Sequence, residues 1–104
     1  MVYIAEAHAS DTWQMQSNVR EKVLFTNPTT DVERERVADS CIRNLHIQFP
    51  ALLDSVANHV EREYTGWPDR LYLIGKDGHI RYKSAPGPFG FSPDDLGRAI
   101  QQLP

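Results

Sequence analysis

The chain contains a single cysteine, Cys41, and no long apolar run among its 104 residues. One cysteine cannot form an internal disulfide, which excludes a small secreted protein held together by disulfides. The apolar runs fall far short of the roughly 20 residues that span a bilayer, and the first residues lack the basic and apolar regions of a signal peptide. We therefore expect a soluble protein that does not act at a membrane. The sequence itself does not fix the compartment, and our expectation is the cytoplasm.

An excess of basic charge is also absent. The 11 basic and 14 acidic side chains give a formal net charge of −3, which argues against an electrostatic nucleic-acid binder. A composition of 40% hydrophobic and 24% charged residues is that of a folded chain, not a disordered one. A length of 104 residues fits one small domain, and we predict a single domain over residues 1–104.

Short β-branched and apolar runs predict three strands in the first half of the chain. Residues 2–5 predict a buried strand, residues 49–53 predict a second strand, and residues 23–25 predict another short strand. The polar stretch over residues 7–22 contains turn-forming residues and predicts a loop or a short irregular helix.

Capping signals and apolar spacing predict helices between these strands. Thr30 and Glu33 form the pattern of a capping box at the start of a helix over residues 31–45. Its predicted core stripe, at helical spacing, comprises Val37, Ala38, Cys41, Ile42 and Leu45. Asp54 or Ser55 can cap a second helix.

The last third of the chain predicts a hairpin followed by a helix. Residues 71–74 and 79–83 form two strands, and Asp77 with Gly78 supplies positive φ angles for the turn between them. Ser92, followed by a proline, is typical of a helix start.

Strands separated by helices imply parallel pairing, and a terminal hairpin adds antiparallel pairing. We therefore predict an α/β fold, specifically a thioredoxin-like sandwich truncated at its N-terminus. Its mixed sheet would end in the hairpin and the final helix.

Histidines could indicate a metal site, but their spacing does not. None of them lies four residues from another, and the lone cysteine has no C-x-x-C partner, so we predict no metal site. The histidines are His8, His46, His59 and His79.

Two single residues have both a chemical and a structural interpretation. Cys41 could be a redox nucleophile, but a thiol in the middle of an apolar helical stripe is more typical of core packing. Arg70, at the entry to a strand, could steady a thiolate or an anionic substrate because its guanidinium is permanently charged. The alternative for Arg70 is a salt bridge with Asp69 or Asp54, and the sequence leaves it open.

The segment after the first strand contains the best candidates for chemistry. Glu6 and His8 are two residues apart and would face the same side of an extended backbone. A carboxylate beside an imidazole can tune its proton affinity for general acid–base catalysis, and open α/β sheets place their sites at the carboxyl ends of strands. A polar strand end followed by a turn at Asp11 explains the same residues equally well.

Three groups of residues, spread over nearly the whole chain, occur in a recognisable order. Residues 3–13 contain Glu-Ala-His and Ser-Asp-x-Trp, and residues 68–72 read Pro-Asp-Arg-Leu-Tyr. Residues 78–93 contain Gly-His-Ile-Arg-Tyr-Lys and Gly-Pro-Phe-Gly-Phe, followed by a proline. This combination resembles the iodothyronine deiodinase family of thioredoxin-fold thiol or selenol oxidoreductases, and most of all its soluble bacterial members.

The resemblance implies reductive removal of iodine from an iodinated phenol such as thyroxine, or a related peroxiredoxin-type redox reaction. It implies that His8 donates or shuttles the proton with Glu6 beside it, that Arg70 faces an anion, and that Asp11 and Trp13 contact the substrate. It also implies a selenocysteine or cysteine nucleophile and a thioredoxin- or glutathione-type thiol as electron donor, without another cofactor.

In the family the nucleophile lies on a unit upstream of the Glu-Ala-His segment, and we expect this chain to lack it. The alternative is a catalytically inert thioredoxin-like binding module, and the DNA upstream of Met1 would distinguish the two. Without the upstream strand the sheet would have an open apolar edge, so we expect marginal stability and a homo-oligomer formed through that edge. We also expect His8 and Arg70 to converge on one pocket.

Overall fold

The computed structural model describes residues 1–7 and 26–104 of the chain. These residues form a small mixed α/β structure with three helices and two small sheets. They divide into two compact units, Met1–Tyr64 and Thr65–Pro104. The strand predicted at residues 23–25 lies outside the described residues, and so does the loop predicted at residues 7–22 except for residue 7. The single domain over residues 1–104 stays a prediction.

The first unit is built on a parallel pair of strands. β1 (Val2–Tyr3) pairs with β2 (Leu52–Leu53), and Val2 lies opposite Leu52. Helix α1 (Asp31–Asn44) lies between them in sequence, and the parallel pairing predicted for strands separated by a helix is confirmed. Both strands are shorter than the sequence predicted.

Helix α1 begins where the capping signal predicted. Thr30 is the N-cap, and its hydroxyl accepts a hydrogen bond from the backbone N–H of Glu33 at 3.1 Å. The Glu33 carboxylate reaches back across the start of the helix, where hydrogen bonds from Thr29 and then from the backbone of Thr30 lower the pKa of Glu33. It accepts from the backbone N–H and the hydroxyl of Thr29, at 2.7 and 3.0 Å.

The end of α1 corrects the predicted core stripe. Leu45, predicted to be buried, is 53% exposed because the helix has already ended and Leu45 is its C-cap. His46 adopts a positive φ of 54°, and its N–H donates to the carbonyl of Arg43. The N–H of Ile47 donates to the carbonyl of Ile42, which completes a Schellman motif that turns the chain away from the helix axis.

The short helix α2 (His59–Tyr64) completes the first unit. It begins later than its capping signal suggested, because a turn closed by the N–H of Asn58 and the carbonyl of Ser55 comes first.

The second unit contains the predicted hairpin. β3 (Tyr72–Ile74) and β4 (Ile80–Lys83) are antiparallel. Gly78 supplies a positive φ of 82° in the turn, as predicted. Asp77 has no positive φ, and its carboxylate instead accepts a hydrogen bond from the backbone N–H of His79 at 3.2 Å.

Helix α3 (Pro93–Gln101) follows the hairpin and starts as predicted. The hydroxyl of Ser92 accepts a hydrogen bond from the N–H of Asp95 at 3.2 Å, and a proline occupies the first turn. None of the helices in the described part of the chain combines the length and the apolar character needed to cross a membrane.

The exposed apolar side chains of both sheets lead us to expect self-association. Leu52 is 69% exposed in the first unit, and Ile74 and Ile80 are 53% and 54% exposed in the second. Two-stranded sheets are marginal alone, and exposed apolar strand edges favour pairing with another chain. Size-exclusion chromatography should therefore show an apparent mass that rises with protein concentration. A concentration-independent monomer with a sharp melt above roughly 60 °C would contradict this.

Candidate functional site

The predicted site residues fall into three places. Glu6 lies in the first unit and Arg70 in the second. His8, Asp11 and Trp13 lie outside the described residues. The convergence of His8 with Arg70 therefore stays a prediction.

Glu6 has a buried side chain that faces a buried cation. Its carboxylate Oε2 lies 3.7 Å from Nη2 of Arg34, and the two side chains are only 8% and 4% exposed. The other oxygen, Oε1, makes no hydrogen bond with the described part of the chain. Burying a carboxylate is costly unless a cation or hydrogen bonds compensate it, and the charge of Arg34 stabilises Glu6 in this position.

Arg34 is fixed by the loop after β2. Its Nη1 donates to the backbone carbonyl of Ser55 at 2.5 Å and to the side-chain oxygen of Asn58 at 3.0 Å. Sequence reasoning missed this residue because it lies in a run of alternating Glu and Arg that resembles a solvated helix face. The available signal was its spacing, four residues before the buried Ala38 and hence on the same face of α1.

Asp54 completes the buried polar cluster. It is 2% exposed, and its two carboxylate oxygens accept from the backbone N–H groups of Val60 and Glu61 at 3.1 and 3.0 Å. Burial alone would raise the pKa of Asp54, but these donors, the N–H of Ser55 and the charge of Arg34 outweigh it and lower that pKa. Asp54 therefore caps α2 as a carboxylate, which confirms one of the two predicted caps.

Cys41 lies beside Tyr3 and Glu6 in the same unit. Burial and the charge of Glu6 raise the pKa of the Cys41 thiol, and the Tyr3 hydroxyl offsets them only in part. Burial, followed by the charge of Glu6, also raises the pKa of Tyr3. Because the thiolate is the reactive form, a thiol with a raised pKa is a poor nucleophile at neutral pH. This environment suits the interpretation of Cys41 as a packing residue.

Arg70 lies on a backbone segment that is held from both sides. The carbonyl of Asp69 accepts from the N–H of Gly87 at 2.9 Å, and the N–H of Leu71 donates to the hydroxyl of the buried Ser84 at 2.9 Å. Within the described second unit Arg70 forms no ion pair, so the predicted alternative of a salt bridge with Asp69 is wrong. The alternative of a salt bridge with Asp54, a residue of the first unit, stays a prediction. The buried Nε of Arg70 has no hydrogen-bond partner among the described residues.

A groove of about 550 Å³ opens beside α1 and the strands of the first unit. Its size is in the range of small-molecule sites. The apolar part is lined by Tyr3, Val32, Ala38, Ile42, Ala51, Leu52 and Leu53. Across residues 1–7 and 26–104, no three His, Cys, Asp or Glu side chains are grouped so that they could hold a metal ion.

Comparison with known proteins identifies relatives of this chain by sequence. The chain is 28% identical over 102 residues to a type I iodothyronine deiodinase of Xenopus laevis, covering 98% of this chain and 38% of that protein. It is 32% identical over 99 residues to a thyroxine 5-deiodinase of Rattus norvegicus, covering 92% and 30%. The chain thus spans between 30% and 38% of the length of these relatives.

No solved structure matches the chain, so the family rests on sequence. The sequence model of the iodothyronine deiodinase family matches residues 1–103, nearly the whole chain, and includes the Glu-Ala-His and Pro-Asp-Arg-Leu-Tyr segments. This chain belongs to the iodothyronine deiodinase family.

Proposed function

We propose that this chain takes part in the reductive deiodination of iodinated phenols, as a member of its family with a thioredoxin-like fold. The observation that carries the proposal is the family match over residues 1–103. The described structure adds a buried carboxylate, Glu6, two residues before the predicted acid–base residue, and a guanidinium, Arg70, without an ion pair among the described residues.

The reaction is a two-electron reduction of a carbon–iodine bond. A thiolate or selenolate takes the iodine from the ring carbon, and a proton replaces it there. Two thiols then regenerate the nucleophile, so that an aryl iodide and two thiols yield the arene, a disulfide, iodide and one proton. The electron donor would be a thioredoxin- or glutathione-type thiol.

We assign the proton transfer to His8, supported by Glu6, and the attraction of an anion to Arg70. Asp11 and Trp13 would contact the substrate. A positioned acid and a preorganised cation act where charge develops in the transition state. Cys41 is not assigned as the nucleophile because its thiol has a raised pKa. The chain would then depend on a thiol or selenol other than that of Cys41.

The environment of Cys41 supports a second candidate, a catalytically inert thioredoxin-like binding module. Cys41 is the sole thiol of the chain, and its environment disfavours the thiolate. Such a module would bind an iodinated phenol without accelerating its reduction.

A small-molecule selenol distinguishes the two candidates. We expect iodide release from thyroxine by a free aryl selenol, with dithiothreitol as reductant, to accelerate about tenfold when the chain is added. A positioned acid accelerates a reaction by a factor of roughly 10² to 10⁴. We expect a smaller factor here because the nucleophile diffuses freely and is not held by the protein. His8→Ala should abolish the acceleration, while Lys76→Ala, an exposed residue of the hairpin turn, should not. Acceleration that survives His8→Ala, or none at all, would contradict the assigned chemistry.

Binding provides the second arm of this test. Thyroxine should bind saturably, and its iodine-free counterpart thyronine should bind about tenfold more weakly or worse. Binding of thyroxine without acceleration would favour the inert module, and equal affinities for the two ligands would contradict both candidates.

Replacing the only cysteine tests its exclusion as the nucleophile. With dithiothreitol alone and no selenol, we expect iodide release near the reagent background both for the natural chain and for Cys41→Ser. The raised pKa of the Cys41 thiol is the reason. Iodide release by the natural chain that disappears in Cys41→Ser would show that Cys41 is the nucleophile after all.

A further inference from the structure

The guanidinium of Arg34 contacts two separate parts of the first unit. Its Nη1 donates to the loop after β2, at the Ser55 carbonyl and the Asn58 side chain, at 2.5 and 3.0 Å. Its Nη2 faces Glu6 at 3.7 Å. Because the guanidinium is planar and rigid, hydrogen bonds that fix one end of it also fix the direction of the other.

The segment that carries Glu6 is tied to the same loop by a second contact. The backbone N–H of Asp54 donates to the carbonyl of Tyr3 at 2.9 Å, where β1 ends. Between that carbonyl and Glu6 there are only two residues, so the backbone and the side chain are both anchored to residues 54–58. One oxygen of Glu6 is then held toward Arg34, and the other, Oε1, remains without a partner in the described structure.

We propose that Arg34 is a positioning residue of the site, which fixes the direction of the Glu6 carboxylate and with it the start of the Glu-Ala-His segment. The inference rests on the proposed function insofar as it takes Glu6 to be a site residue. Arg34 itself contacts no substrate in this assignment; it acts through Glu6.

A purely structural role for Arg34 makes a different prediction. If Arg34 served only to hold the loop after β2, its loss would destabilise the fold and leave the environment of Glu6 unchanged in the folded molecules. If it positions Glu6, the carboxylate must move when the guanidinium is removed, even where the fold survives.

The carboxyl ¹³C resonances of a glutamate-labelled chain separate these roles without any ligand. In Arg34→Met we expect the Glu6 resonance to shift to the position of exposed glutamates. Asn58→Ala removes the contact of Arg34 with the Asn58 side chain and leaves the shorter one to the Ser55 carbonyl, which still fixes the guanidinium, so it should leave the Glu6 resonance in place. Arg34→Lys keeps the charge without the planar fork, and we expect an intermediate shift.

Stability supplies the accompanying control. Removing one partner of a buried pair leaves an uncompensated charge, so Arg34→Met should lower the ratio of folded to unfolded protein by about 10²-fold or more. Glu6→Gln should cost much less in the Arg34→Met background than in the natural chain, because the two residues act as a pair. If Arg34→Met does not fold, Arg34→Lys still reports the shift of the Glu6 carboxyl resonance. Glu6→Gln then reports the reciprocal effect, a shift of the resonance of the Arg34 Nε.

A Glu6 resonance that is unchanged in folded Arg34→Met or Arg34→Lys would overturn the positioning role. Failure of thyroxine binding or of the selenol assay would instead overturn the proposed function and leave this measurement valid. Where both hold, Arg34→Lys should reduce the acceleration at saturating thyroxine from about tenfold to about threefold while changing thyroxine affinity less than threefold.

Discussion

Replacing Asp54 with alanine is expected to lower the free energy of unfolding at pH 7 by about 3 kcal/mol. The carboxylate is buried and accepts hydrogen bonds from the N–H groups of Val60 and Glu61. Hydrogen bonds to a charged group are each worth roughly 1.5–3 kcal/mol, and loss of an N-cap alone costs roughly 1 kcal/mol. Equilibrium unfolding in urea, monitored by circular dichroism, measures the loss.

The effect should depend on pH in a defined direction. The pKa of Asp54 is lowered in the folded state, so its ionisation contributes stability above the ordinary aspartate pKa of about 3.9. That contribution is lost as the pH falls through the lower pKa of the folded state. The difference between the natural chain and Asp54→Ala should therefore be smaller near pH 2 than at pH 7.

Asp94→Ala is the matched control, since Asp94 is an exposed carboxylate in the first turn of α3. Its loss should cost less than about 1 kcal/mol. Asp54→Asn keeps one acceptor oxygen without the charge and should fall between the natural chain and Asp54→Ala. A loss of equal size at pH 2 and pH 7 would show that the charge of Asp54 does not contribute.

Replacing Gly90 with alanine is the second change with a large expected effect. A Cβ on Gly90 would overlap the backbone carbonyl of Ala85 and lie 2.6 Å from the carbonyl oxygen of Pro86. The same turn is closed by a hydrogen bond from the N–H of Gly90 to the carbonyl of Pro86 at 3.0 Å. Backbone cannot give way as a side chain can, so we expect a destabilisation of about 2–3 kcal/mol, measured by urea unfolding.

Gly97→Ala makes the same chemical change in the interior of α3 and should have the opposite sign. A Cβ on Gly97 would meet nothing within 4 Å. Alanine is favoured over glycine inside a helix by roughly 0.5–1 kcal/mol, so the variant should be more stable than the natural chain. Destabilisation by both substitutions, or by neither, would contradict the packing described around Gly90.

The starts of α1 and α3 and the glycine of the hairpin turn could be read from the sequence because the forces that set them act within one turn of the chain. Thr30 caps a backbone N–H three residues ahead, and so does Ser92. Gly78 adopts a positive φ that its lack of a Cβ permits. The resemblance that placed the chain in its family depended on short motifs of the same local kind.

Contacts between distant residues were decided only by the tertiary structure. Arg34 and Glu6 are 28 positions apart, and no periodicity in either segment indicates that one will neutralise the other. Leu45 fits the apolar stripe of α1 yet is exposed, because the Schellman motif ends the helix first. Burial of a charged side chain is settled by the partner that the fold brings to it, and a helical pattern in sequence carries no record of that partner.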